Sequence, residues 1–89
     1  MRRRCVFRGT VQHVGLRYRA VSAASRLGVT GWIQNRPDGT VLMEAQGDET
    51  DVSSLIAGIL DTRYGSIEVS SSEIPEEDDG GGFRVKFDR

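Results

Sequence analysis

An α+β sandwich, with two helices on one face of an antiparallel sheet, is the fold class that these 89 residues predict. Three observations carry it. Small or apolar residues recur at helical spacing in two separate windows, Leu16 to Leu27 and Val52 to Leu60. Short apolar or alternating runs flank each window, as strands do. Between the windows, Arg36-Pro37-Asp38-Gly39 places Pro and Gly where a tight turn needs them and joins two such runs into a hairpin.

The elements follow in order. Cys5-Val6-Phe7 begins a first strand that runs to Thr10. In the first helix Leu16, Ala20, Ala23, Ala24 and Leu27 share a stripe that Arg17, Arg19, Ser22 and Arg26 avoid, and Gly28 is its C-cap. Val29 to Asn35 is the second strand and Thr40 to Gln46 the third; in the latter Val41, Met43 and Ala45 share one face and Leu42, Glu44 and Gln46 the other, so one face is partly wet. Gly47-Asp48 stops that strand. Val52, Leu55, Ile56, Ile59 and Leu60 then form the cleanest helical stripe of the sequence, and Asp48, Glu49 and Asp51 favour its N-terminus through capping and the dipole. Ile67 to Ser72 reads as the fourth strand, and Phe83, Val85 and Phe87, alternating with Arg84, Lys86 and Asp88, as an extra C-terminal one. The acidic, glycine-rich stretch Pro75 to Gly82 between them reads as a mobile, solvated connection. The order is β-α-β-β-α-β plus a closing strand, a ferredoxin-like plan in which residues 1–89 form a single domain. That plan hosts many unrelated activities.

Composition narrows the functional classes. With 37% hydrophobic and 28% charged residues the chain is that of an ordinary soluble globular protein. A formal net charge of −1 offers no long-range attraction to nucleic acid or anionic membrane, so neither is expected as a partner, and an RNA-binding sheet is disfavoured. The lone Cys5 excludes an internal disulfide and a multi-cysteine metal site. Arg2, Arg3 and Arg4 read as a solvated strand end, since the apolar segment behind them is too short for a signal peptide. No run is long enough for a membrane helix. A cytoplasmic monomer is the expectation.

The informative stretch is Gly9-Thr10-Val11-Gln12-His13-Val14-Gly15-Leu16-Arg17, between the first strand and the first helix. A glycine-containing turn that opens a helix gathers backbone N–H groups around one point, where the helix dipole adds positive potential. Such a point suits an anion. An arginine in the first turn can close over a phosphate with its planar fork. Taken singly, Arg17 could equally be a solvated helix residue, and Asn35 a strand-end residue before a turn, where asparagine is common. Trp32 and Phe7 read as packing residues, and Arg8, Arg19 and Arg36 as solvated ones.

Two stretches, GTVQHVGLR (Gly9 to Arg17) and GWIQNRPDGTV (Gly31 to Val41), resemble the acylphosphatase family, which carries a G-x-V-Q-G-V-G-F-R type loop before a helix and later a G-W-V-x-N-x-x-D-G-T-V type hairpin. The resemblance spans essentially the whole chain, in the same element order. It implies a small, stand-alone cytoplasmic hydrolase that cleaves acyl phosphates to a carboxylate and inorganic phosphate, with no metal or organic cofactor and with phosphate or sulfate as ligand. It implies Arg17 as the phosphate-holding arginine and Asn35 as the residue that orients the attacking water. The backbone amides of Gln12, His13, Val14, Gly15 and Leu16 would complete the cradle. A larger carbamoyl-transfer protein with a similar first domain is not expected, since the sequence ends at Arg89.

Two positions depart from the pattern: His13 replaces a glycine and Leu16 an aromatic. If that glycine has positive φ, histidine there costs about 1 kcal/mol. Three readings of His13 stand, in this order: a solvent-facing side chain, a phosphate contact that strengthens on protonation near pH ~6.5, and a phosphohistidine nucleophile. The alternative to an active enzyme is therefore a catalytically impaired phosphate-binding module on the same fold.

Overall fold

The computed structural model describes residues 1–12, 15–62 and 65–87. The chain runs β1 (Arg2–Gly9), α1 (Leu16–Leu27), β2 (Thr30–Asn35), β3 (Val41–Gln46), α2 (Glu49–Leu60), β4 (Ile67–Ile74) and β5 (Phe83–Val85). The strands form one sheet in the order β4-β1-β3-β2-β5. Both helices pack on the same face of it.

Strand register explains the core. Cys5 pairs with Met43 and Phe7 with Val41, while Ile33 pairs with Met43 from the other side. Alternation then points Cys5, Phe7, Ile33, Val41, Met43 and Ala45 to one face. There they meet Leu16, Ala20 and Ala24 of α1 and Val52, Leu55 and Ile59 of α2, all buried. Gly28 closes α1 in the left-handed region at φ 72°, donating its N–H to the Ala24 carbonyl, as a C-cap glycine does. Asp48 occupies the N-cap of α2, but its side chain makes no capping hydrogen bond, so its carboxylate, like those of Glu49 and Asp51 in the first turn, acts through the dipole alone.

The sheet is mixed rather than antiparallel, because β5 lies parallel to β2, pairing Gly31 with Phe83 and Ile33 with Val85. The reason is topological. The end of β4 lies beside the start of β1, Ile74 opposite Arg2, and the Arg2 end of β1 lies opposite Gln46, itself opposite Thr30 at the start of β2. The chain crosses this end of the sheet and turns back along the free edge of β2, which makes β5 antiparallel to β4 and parallel to β2. The strand is also shorter than the alternation suggests: it ends at Val85, and Phe87 is 71% exposed instead of facing the core.

Two expectations about charge are overturned at that crossing. Strand β1 starts at Arg2, and Arg2 is not a solvated strand end but 1% exposed. Its Nε and Nη2 donate to Glu44 Oε1 at 3.1 and 3.0 Å, and its Nη1 to Asp79 Oδ2 at 3.1 Å and Gln46 Oε1 at 3.2 Å. Nor is the acidic loop an untethered connection. Glu77 exchanges hydrogen bonds with the Gln46 amide, both at 2.9 Å, and Gly31 donates its backbone N–H to the Gly82 carbonyl at 2.9 Å. A buried guanidinium needs carboxylate partners, and the loop supplies one from 77 residues away.

Burial pushes the Asp79 carboxyl up, but hydrogen bonds from the Gly81 N–H and Arg2 outweigh it and hold the group below the usual carboxylate range. A carboxylate lowered in the folded state stabilises above its unfolded pKa and loses that contribution as pH falls through the folded value. Asp79→Asn should therefore lower stability near neutrality and flatten the acid side of the stability profile, as measured by urea unfolding at several pH values. An unchanged acid limb would show that the tie between loop and Arg2 carries no stability.

Candidate active site

The first turn of α1 is electrostatically unusual for its own sequence. Gly15, at φ 72°, forms the N-cap and brings no side chain to the free amides at the helix start. Unlike α2, which places Glu49 and Asp51 in its first turn, α1 has no acidic residue there, and its second residue is Arg17. A cation at the positive pole of a helix is locally unfavourable by about 0.3–1 kcal/mol. Arg17 is half-buried, and among the described residues no carboxylate pairs with it. Its Cζ lies over the Phe87 ring, 5.9 Å from the ring centre, at the outer edge of cation–π contact. Among the described residues, positive potential is thus concentrated here without an ion-pair partner.

The loop before α1 is anchored at its start. Gly9 ends β1 at φ 107°, where a Cβ would run into the Ser66 carbonyl, so glycine is required at this close approach of β1 and β4. Thr10 donates its N–H to Ser66 O at 3.0 Å, Val11 donates its own to Gly9 O at 3.0 Å, and the Val11 side chain is 2% exposed in the core. His13 and Val14, two of the residues expected to contribute amides, lie outside the described residues, as does any local test of the departure at His13.

Asn35 reaches the same place from the sheet. It is the last residue of β2, on the face that carries Ile33 to the core and in one cross-strand row with Val41 and Phe7. Its side chain therefore faces the helix layer at the end of the sheet where β1 hands over to α1. The Asn35 Oδ1 atom is buried and has no hydrogen-bond partner among the described residues. Leaving a buried acceptor unmatched costs about 1–3 kcal/mol, and native proteins do so rarely. The turn behind it is well ordered. Asp38 Oδ1 accepts from the Thr40 N–H at 3.0 Å and from the Thr40 hydroxyl at 2.6 Å, and these bonds hold the Asp38 carboxyl below its usual range.

A cavity of about 330 Å³ unites these groups, lined by Val11, Gln12, Gly15, Leu16, Arg17, Tyr18 and Asn35. Of the residues singled out in the sequence, Gln12, Gly15, Leu16, Arg17 and Asn35 come together here. Val11 and Tyr18, which also line it, and Phe87 beside Arg17 were not singled out. The apolar character of Val11 and the alternation of Phe87 with the last strand both read as core signals, and only Val11 is in the core. Trp32, taken as a packing residue, is half-buried on the helix-free face with Lys86 Nζ 4.2 Å from its ring centre. Chemically, the cavity offers a guanidinium and helix-terminal amides to an oxyanion, and an amide oxygen also belongs to a lining residue.

Known proteins of similar sequence and shape agree on a family. The sequence matches the acylphosphatase family over residues 3–88. It is 39% identical over 70 residues to an acylphosphatase of Methanospirillum hungatei JF-1, covering 79% of this chain and 77% of that protein. An acylphosphatase structure from Coxiella burnetii superposes with a TM-score of 0.86 at 28% identity, covering 96% of this chain and 90% of that one. One from Bacillus subtilis does so with a TM-score of 0.80 at 27% identity, covering 96% and 97%. Among the described residues no helix is long and apolar enough to cross a membrane. By this agreement of sequence, topology and shape, the chain belongs to the acylphosphatase family.

Proposed function

We infer that the protein hydrolyses the carboxyl-phosphate bond of small acyl phosphates, with Arg17 and the loop amides holding the phosphoryl group and Asn35 placing the water. The observation that carries this reading is that one cavity is lined both by an arginine at the positive pole of α1 and by an asparagine; among the described residues the arginine has no carboxylate partner and the asparagine's amide oxygen no hydrogen-bond partner. Charge on the transferred phosphoryl group spreads over three equatorial oxygens, so positioning and electrostatic stabilisation can supply most of the catalysis. The guanidinium fork grips two of those oxygens, and the amides of Gln12, His13, Val14, Gly15 and Leu16 serve the rest. Asn35 Oδ1 accepts a hydrogen bond from the water and aims its oxygen at phosphorus. As the new P–O bond forms, the bond to the acyl oxygen breaks and its electron pair leaves on a carboxylate. A carboxylic acid has a pKa of roughly 4 to 5, so the leaving group needs no general acid. The proton of the water passes to a phosphoryl oxygen, giving inorganic phosphate.

The impaired-module reading of the change at His13 gains no support from these relatives and neighbours, which carry the name acylphosphatase. We place the enzyme in the cytoplasm, where its lone Cys5, buried and with its thiol pKa pushed up by that burial, stays reduced. The decisive assay is turnover of benzoyl phosphate in excess EDTA. Full activity is expected, and activity that appears only with added metal would overturn the metal-free mechanism.

A further inference from the structure

The amide side chain of Gln12 is spent on the neighbouring hairpin. Its Nε2 donates to the Arg36 carbonyl and to the Thr40 carbonyl, each at 3.1 Å. Only the nitrogen end of the amide can satisfy two carbonyls, so the orientation of the group is set by its partners. Those two carbonyls already close the turn: Arg36 N–H donates to Thr40 O at 2.9 Å and Gly39 N–H to Arg36 O at 3.1 Å. Arg36 directly follows Asn35. On the loop side, Gln12 directly follows the core-anchored Val11. Among the described residues no other hydrogen bond joins this loop to this hairpin.

We propose that Gln12 is a positioning residue whose forked amide fastens the phosphate-holding loop to the Asn35 hairpin and so fixes the gap across which water attacks. The proposal rests on the hydrolytic reading above and adds to it a role for this side chain beyond its backbone N–H. The two halves of the site belong to different elements: Arg17 rides on α1 and Asn35 on β2. The shared core sets their coarse separation, and the tie between loop and hairpin adds a direct constraint at the site itself. In-line attack is sensitive to that separation, because a misplacement of about 1 Å can cost about 100-fold in rate. Two donors on two acceptors also resist rotation, which a single bond would not.

Gln12→Met keeps the shape and removes both N–H donors. Arg36 O and Thr40 O each retain a second donor, Gly39 and Arg36 respectively, so the variant leaves no hairpin carbonyl unpaired. The expected result is a fall in kcat of about 10–100-fold, with the inhibition constant for inorganic phosphate within about threefold of wild type. In an Asn35→Ala background the same change should lower kcat by less than about threefold, since the water it serves to align is already unplaced. Unchanged kcat in Gln12→Met, a parallel loss of phosphate affinity, or penalties that multiply in the double variant would each overturn the proposal.

A readout without turnover separates this idea from the hydrolytic one. On saturation with inorganic phosphate, the Asn35 side-chain amide signal in a nitrogen-15 spectrum should shift together with the loop amides in wild type, and should stop following them in Gln12→Met. An inactive wild type that shows this uncoupling sinks the hydrolytic reading and keeps the brace. An Asn35 signal that follows phosphate equally in both proteins, or a wild type that binds no phosphate, sinks the brace.

Discussion

Arg17→Ala is expected to lower kcat/KM for benzoyl phosphate by about 10³–10⁵-fold, the range by which a single arginine stabilises phosphoryl-transfer charge. The structure adds a sign that a merely structural arginine would not show. Removing the cation from the positive pole of α1 relieves about 0.3–1 kcal/mol, while losing its contact with the exposed Phe87 ring forfeits about 0.5–1 kcal/mol. These nearly cancel, so the urea midpoint should barely move as activity disappears. Phosphate inhibition should weaken as well, but by less than the rate, because the guanidinium holds the bound phosphate and holds the transition-state charge more strongly. Arg17→Lys should recover only part of the rate, since an ammonium keeps the charge but not the two-pronged geometry. Full turnover in Arg17→Ala would remove the centre of the proposed mechanism.

Asn35→Ala carries the second large effect and a different signature. A residue that places water contributes to the rate more than to phosphate binding, so kcat should fall about 100-fold or more with little change in phosphate inhibition. Stability should hold or rise by about 1 kcal/mol, because the substitution deletes a buried acceptor that has no partner among the described residues. Urea unfolding and steady-state kinetics on the same preparation check both. A large loss of stability would mean that Asn35 holds the hairpin together, and its effect on rate would then be indirect.

Much of this molecule was legible in local pattern. The stripe from Val52 to Leu60 faces the core at Val52, Leu55 and Ile59, and Gly28 caps α1 where the sequence places it. The hairpin around Pro37 and Gly39 forms because turn chemistry acts over four residues and needs no distant partner. Local pattern also misled. Three consecutive arginines read as a solvated end, yet Arg2 is buried against carboxylates 42 and 77 residues away. Phe87 continues an alternation that means core in an isolated strand, but β5 stops at Val85, and the exposed ring lies beside the Arg17 guanidinium. The family resemblance pointed to Arg17 and Asn35 by motif, while nothing in the residues around Gln12 indicated that its side chain is consumed by Arg36 and Thr40.

Residue order alone was enough to decide the kind, sequence and approximate ends of the elements, because periodicity, capping and turn preference are properties of short windows. It also placed the glycine-containing loop at a helix start. Folding in three dimensions decided which strand neighbours which, that β5 runs parallel to β2, that a buried guanidinium gathers partners from an acidic loop, and that an asparagine on a strand end and an arginine on a helix line one cavity. Such pairings join residues far apart in the chain. Their free energy depends on burial and exact separation, which no short window encodes.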